Sequence, residues 1–263
     1  MKKQRIDVLM VERGLAESRN KAQRLVMAGE VRVEGQMIHK PSTQVSEDAQ
    51  IDVKERPKYV SRGGKKLAAA IEAFTVKVSG KICADVGAST GGFTDCLLQN
   101  GAEKVYAIDV GYGVLHWKLR QDPRVVVMER VNARYLDSLP EPINLVTIDA
   151  SFISLNLILP AVIHWFDGSE GQVIALIKPQ FEAGRKAAAI HAGVIKDHAI
   201  HEQVLMETLS GSQALGLKPV GLTPSPIKGP KGNVEFLVDL QMDGIDEQGG
   251  LDLLVQRALK LLP

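Results

Sequence analysis

The chemistry of this 263-residue sequence is concentrated in one glycine-rich segment and a few charged residues. Residues 85–93 read Asp-Val-Gly-Ala-Ser-Thr-Gly-Gly-Phe, directly after a predicted strand and at the opening of a predicted helix. Gly87, Gly91 and Gly92 let the backbone approach a ligand closely, with a helix N-terminus behind it. Asp109 ends the next predicted strand, 22 residues beyond Gly87. A carboxylate there can take both hydroxyls of a ribose, so a nucleoside-containing cofactor is expected. No G-x-G-x-x-G occurs, which weakens nicotinamide and flavin, and no Gly-Lys-Ser/Thr follows the loop, which weakens a nucleoside triphosphate.

Four ionisable residues fall at predicted element ends. Asp149 ends the strand at 145–148, Lys178 ends the strand at 173–177, Glu235 starts a late strand, and Lys66 starts the first helix of the body. Open α/β sheets bind ligands at the carboxyl edge of their strands. Taken singly, Lys178 and Glu235 also read as solvated strand ends and Lys66 as a surface cation. Together, two lysines and two carboxylates in one cleft form an alternating network. Such a network can hold one lysine neutral so that it removes a proton, which a hydroxyl nucleophile needs. An acid two residues before the first glycine of a G-x-x-x-G-G loop is what methyltransferases using S-adenosylmethionine show. A turn needing glycine only for packing is the plain alternative.

The elements that must position these groups alternate strand with helix. Strands are predicted at 81–86, 105–110, 125–128, 145–148 and 173–177, and helices at 67–74, 92–99, 155–165 and 198–215. The strand runs lack polar alternation, as buried parallel strands do. The series predicts an α/β fold, a doubly wound sheet with helices on both faces, with two late strands at 220–223 and 234–240 closing one edge. Residues 1–53 predict a separate α+β module. Ile6, Leu9, Val11 and Leu15 suit a first helix. Ser18 caps a second, with Ala22, Leu25, Val26 and Ala28 on its apolar face and Gly29 as its stop. Strands are expected at 31–35 and 44–53. Residues 54–60, with Pro57 and four charges, read as a linker, leaving 61–263 as the main domain.

Charge is split along the chain. The formal net charge is only +1, but residues 1–66 carry 15 Lys and Arg against 9 Asp and Glu. A basic front end on an acidic body points to a polyanionic partner. Arg5, Arg19, Lys21 and Arg24 lie among apolar positions at helical spacing, and Arg62 and Lys65 follow the linker. A basic helix face is commonly just a solvated face. The order S-R-x-x-A followed by G-x-V-x-V-x-G adds weight to RNA contact. Cys83 and Cys96 are too few for a disulfide framework or a four-ligand zinc site. The opening MKKQRIDVLMVERG lacks the apolar run of a secretory signal, and the longest apolar stretch, at 156–166, contains Pro160 and His164. A cytoplasmic protein with no stable membrane association and no metal is expected.

Residues 2–53 resemble an S4 RNA-binding domain, through Arg5-Ile-Asp7-Val-Leu9, Ser18-Arg19-Asn-Lys21-Ala22 and Gly29-Glu-Val31-Arg-Val33-Glu-Gly35. Residues 59–241 resemble an FtsJ-type ribose methyltransferase with a Rossmann-like class I methyltransferase sheet. The joined pair is similar to the TlyA family. The resemblance rests on Tyr59-Val-Ser-Arg62-Gly-Gly-Lys65-Lys66-Leu, the 85–95 loop, Asp149-Ala-Ser-Phe-Ile-Ser, Lys178-Pro-Gln-Phe-Glu182 and Gly229-Pro-Lys-Gly-Asn233-Val-Glu235. That family is described as ribosomal RNA 2′-O-methyltransferases acting on cytidine, and is often labelled hemolysin.

The resemblance implies a Lys-Asp-Lys-Glu catalytic tetrad, which falls here on Lys66, Asp149, Lys178 and Glu235. Lys66 rather than Lys65 takes the first place because it directly precedes Leu67. Lys178 is expected to be the base, Asp149 and Glu235 to hold the lysines, and Lys66 to steer the substrate. S-adenosylmethionine is expected on Asp85, Gly87, Ala88, Ser89, Gly91, Gly92, Phe93 and Asp149, with its ribose on Asp109, its adenine near Asn132 and its methionine end near Asp85 and Gly87. Ribosomal RNA or a ribosomal subunit is the implied partner. Two other readings compete. An RNA-binding assembly factor needs only the front module and leaves Lys178 and Glu235 unexplained. A membrane-lytic protein needs a spanning or strongly amphipathic segment, and the sequence offers none.

Overall fold

The computed structural model describes residues 2–54, 57–168, 170–184, 193–242 and 250–262. The chain forms two compact units that divide between Pro57 and Lys58. In the first, β1 (Lys3–Arg5) leads into α1 (Ile6–Glu12) and α2 (Arg19–Met27). Strands β2 (Val31–Val33), β3 (Gln36–Met37), β4 (Gln44–Ser46) and β5 (Ile51–Val53) follow. The Ser18 hydroxyl accepts from the Lys21 backbone N–H at 3.2 Å and so caps α2. Ile6, Leu9, Met10, Ala22, Leu25, Val26 and Val31 form the core. Leu15 lies beyond the end of α1 and Ala28 at the end of α2, and both are exposed. The single strand expected at 44–53 is two. β4 pairs antiparallel with β1, and β5 with β2. Between them the chain turns, and Arg13 donates to the carbonyl oxygens of Glu47 and Ala49.

In the second unit a sheet runs in the order β11-β12-β10-β9-β6-β7-β8. These are β6 (Ile82–Val86), β7 (Lys104–Asp109), β8 (Val125–Glu129), β9 (Leu145–Ile148), β10 (Gln172–Ile177), β11 (Lys218–Pro224) and β12 (Phe236–Gln241). The five from β8 to β10 are parallel, and β12 is antiparallel to both its neighbours. From β6 the chain winds outward through β7 and β8, then restarts at β9 and winds the other way. The switch between β6 and β9 opens a crevice at their carboxyl ends.

Each face of the sheet has its own core. Val173, Ala175 and Ile177 of β10 pack with α8 (His198–Ala214) and α9 (Gly250–Lys260). Ile174 and Leu176 pack on the other face with α3 (Gly63–Ala73) and α4 (Gly92–Gln99). Both faces are buried, which is why the strands read as unbroken apolar runs. Among the described residues no helix is long and apolar enough to cross a membrane.

Two further expectations are corrected. The helix at 155–165 is broken into a 3₁₀ turn at Leu155–Leu157, α6 (Leu159–Val162) and a second 3₁₀ turn at Ile163–Trp165. Pro160 sits in the first turn of α6, where its missing N–H is tolerated. Residues 58–60 are part of the second unit rather than linker. Tyr59 is buried there, and the Val60 N–H donates to Asp95 Oδ2 at 2.9 Å. Sequence patterning also missed α5 (Trp117–Arg120), α7 (Pro179–Glu182) and α9.

Candidate active site

At the switch point lies a cavity of about 370 Å³ whose lining includes Lys66, Asp149, Lys178 and Glu235. Four separate segments deliver these groups. Lys66 is in the first turn of α3, Asp149 directly follows β9, and Lys178 directly follows β10. Glu235 precedes β12, whose antiparallel register sets Phe236 opposite Ile177 and so brings Glu235 beside Lys178. The side chains form one chain of opposite charges. Lys66 Nζ is 2.6 Å from Glu235 Oε2 and 3.8 Å from Asp149 Oδ2, and Lys178 Nζ is 2.5 Å from Asp149 Oδ1. Lys178 and Glu235 are buried, so their charges depend on this pairing. Glu235 Oε1 is buried without a hydrogen-bond partner among the described residues. Lys65, by contrast, is exposed and does not line the cavity.

A second cavity, about 470 Å³, adjoins the first and shares Gly87, Ser89, Asp149 and Ser151 with it. Asp109 and Asn132 line it as well. Gly87 has φ +80°, and a Cβ there would meet the Asp149 carbonyl oxygen at 2.8 Å, so only glycine lets the loop pass. Asp109 is fixed by two backbone donors, Ser89 N–H at 2.8 Å and Gly111 N–H at 2.7 Å. Each oxygen keeps a further lone pair for a ligand hydroxyl. The donor set and the close-approach glycine fit a nucleoside cofactor. Asp109→Ala is expected to lose charge-assisted bonds of order 1.5–3 kcal/mol, weakening S-adenosylmethionine affinity at least about tenfold. Unchanged calorimetric binding would remove Asp109 from the site.

Residues 59–242 match the profile of FtsJ-like methyltransferases, and residues 4–51 match the S4 domain. The 16S/23S rRNA (cytidine-2′-O)-methyltransferase TlyA of Mycobacterium tuberculosis is 44% identical over 262 residues, 97% of each chain. The chain belongs to the TlyA family of FtsJ-like methyltransferases. A solved structure from Streptococcus thermophilus described as a hemolysin is 44% identical. It superposes with a TM-score of 0.72 over 99% of this chain and 97% of its own. An S-adenosylmethionine dependent methyltransferase from Mesorhizobium loti, 14% identical, shares the sheet fold at a TM-score of 0.50, over 66% of this chain and 96% of its own.

Not every expected cofactor residue of this TlyA-family chain faces the second cavity. Ala88, Gly92 and Phe93 line the first cavity instead. Gly91 lines neither. It is the left-handed cap of α4, packed under Leu115 and Leu119. Asp85 also lines neither cavity, because it is fully buried beneath the loop. Its oxygens accept from the Thr94 hydroxyl at 2.6 Å and the Thr147 hydroxyl at 3.2 Å. Burial pushes its carboxyl up to about 7, against the opposing threonine bonds.

The folded state therefore keeps a proton that the unfolded chain releases. The Asp85 contribution to stability falls as pH rises from about 4 to about 7 and is level outside that window. Asp85→Asn keeps the shape and can bond both threonines. Its melting temperature is expected to overtake the parent's across that window, by roughly 1.4 kcal/mol of stability per pH unit. Parallel pH profiles for the two proteins would refute the assignment.

Sequence patterning missed Ser151, Phe152 and the 227–229 loop. Ser151 lines both cavities and accepts from Lys178 Nζ at 3.2 Å. Its signal was its place two residues beyond Asp149. Of the basic residues, Arg62 is exposed at the rim of the first cavity. Arg5 and Arg19 are not free cations. Both bond the buried Asp7, as does the Gln23 amide. Arg5 above all holds the Asp7 carboxyl well below the usual carboxylate range. Lys21 is half-buried and Arg24 exposed, and neither has a carboxylate partner among the described residues.

Proposed function

We propose that this protein transfers a methyl group from S-adenosylmethionine to the ribose 2′-hydroxyl of cytidine in ribosomal RNA. The observation that carries this reading is the meeting of two cavities at Gly87, Ser89, Asp149 and Ser151, with Lys178 in the first cavity bonded to Asp149 and Ser151. When bound, S-adenosylmethionine supplies an electrophilic methyl group. Lys178, having first released its own proton, accepts the 2′-hydroxyl proton as a neutral amine while the oxygen attacks. Asp149 fixes Lys178, Glu235 fixes Lys66, and Lys66 steers the attacking oxygen. In-line displacement at carbon asks chiefly for positioning, which a network anchored on four segments supplies.

Unmatched cations of the first unit support phosphate contact, and RNA shape then supplies selection. A ribosomal substrate sets the protein's place in the cytoplasm. The test is a ribose-methylation map of ribosomal RNA from cells with and without the protein. A cytidine 2′-O-methyl mark that disappears with the protein is expected, and identical maps would overturn the reading.

The two units have separate cores, so their roles are separable. Removing residues 2–57 is expected to leave S-adenosylmethionine binding intact and to abolish methylation of ribosomal RNA. RNA affinity of the full chain should fall steeply with salt. A truncated protein that methylates RNA as well as the full chain would show that the first unit does something else.

A further inference from the structure

Outside both cavities, the second unit exposes aromatic rings paired with arginines. The Arg130 guanidinium lies 4.2 Å from the centre of the Tyr112 ring, and Tyr112 is 69% exposed. Nearby in sequence, the Arg134 guanidinium lies 5.4 Å from the centre of the Tyr135 ring, which is 72% exposed. Neither arginine has a carboxylate partner among the described residues, whereas Arg120 and Arg124 are paired with Glu129 and Asp122.

The Tyr112–Arg130 pair stands at the carboxyl edge of the sheet. The Arg130 N–H donates to the Gly111 carbonyl at 3.0 Å, joining the loops after β7 and β8. Their neighbours Val110, Val131 and Asn132 line the cofactor cavity, but Tyr112 and Arg130 do not. The backbone there is strained: Arg130 has φ +58°. Ser89 and Phe152, in the loops after β6 and β9, share that left-handed conformation, and both line the cavities. Strain of this kind in non-glycine residues persists where the surroundings enforce it, and it gathers at functional sites.

We propose that Tyr112 and Arg130 form a stacking surface for the RNA strand flanking the nucleotide that is methylated, an inference that rests on the proposed function. The guanidinium covers one face of the ring and leaves the other open to a base. Its N–H groups, free of carboxylate, are available to a phosphate. The chemistry matches single-stranded RNA, which offers an unstacked base to the ring and an anionic phosphate to the guanidinium within one nucleotide.

The test uses the full chain, Tyr112→Ala, and Arg130→Asn, since asparagine tolerates the left-handed backbone. Protein-free 16S and 23S ribosomal RNA transcripts are the probes, in filter binding. The Kd for RNA is expected to rise about fivefold to tenfold in each variant. S-adenosylmethionine affinity by calorimetry should stay within about twofold, and zero-length ultraviolet crosslinking should place RNA on Tyr112. Unchanged RNA affinity in both variants overturns the proposal. So does a loss confined to S-adenosylmethionine, which would make the pair a rim of the cofactor cleft. A defect seen with ribosomal subunits and absent with protein-free RNA overturns it in favour of a protein contact. A parent chain that binds these transcripts but methylates no ribosomal RNA overturns the proposed function instead, and the Tyr112 comparison still reads on its own.

Discussion

Single-turnover methyl transfer by Lys178→Ala is expected to fall about 10²–10⁴-fold, the usual contribution of a general base. Affinities for S-adenosylmethionine and RNA should stay within a few-fold of the parent. The argument is differential: a base acts on the proton that moves in the transition state, so its loss shows in the chemical rate more than in ground-state binding. A purely structural role predicts another pattern. Lys178 is buried and bonded to Asp149 Oδ1 and Ser151 Oγ, so its loss would then lower the melting temperature and weaken both ligands together. Lys178→Arg separates the cases further, because arginine keeps the charge but does not give up its proton. Near-native turnover in the arginine variant would make Lys178 an electrostatic clamp and move the base to Lys66 or a bound water.

Gly229→Ala is expected to be nearly as damaging, although Gly229 carries no functional group. A Cβ at Gly229 would stand 2.1 Å from Glu235 Oε1 and 2.7 Å from its Cδ. The Glu235 carboxylate is the end of a flexible side chain that lines the first cavity, so it yields by swinging away, and in doing so it gives up its 2.6 Å contact with Lys66. A displacement of about 1 Å in a catalytic group costs on the order of 100-fold in rate. The fold should survive, because only one side chain end has to move. The decisive measurement pairs turnover with melting temperature. Native turnover would mean that the Lys66–Glu235 contact is dispensable.

Much of this architecture was legible because its causes are local. β6, β9 and β10 are buried on both faces and show it as runs without alternation. The start of α2 is written in Ser18, and the glycine-rich loop is written in the spacing of Gly87, Gly91 and Gly92. The tetrad was a different matter. Lys66 and Glu235 are 169 residues apart, and no periodicity joins them; their places at element ends suggested one cleft, and likeness to a family made them a tetrad. What stayed hidden depends on tertiary surroundings. The tie of Arg5 and Arg19 to Asp7 follows from the burial of one carboxylate, and the break near Glu47 follows from β4 and β5 choosing different partner strands. Gly229 showed only as the first residue of a family motif, because its importance lies in the space it leaves for Glu235.

The insertion of β12 between β10 and β11 gives the site a timetable. A ribosome making this chain releases Lys66, Asp149 and Lys178 well before Glu235, and β12 follows at once. Until β11 and β12 dock as a pair, β10 is an open edge with a row of unanswered backbone donors and acceptors, and Lys66 lacks its buried counter-ion. That pairing joins distant parts of the chain and belongs to the slow class of folding events. The first unit, whose residues all precede the second, can be complete long before. Chain order therefore completes the first unit early and arms the catalytic charges last.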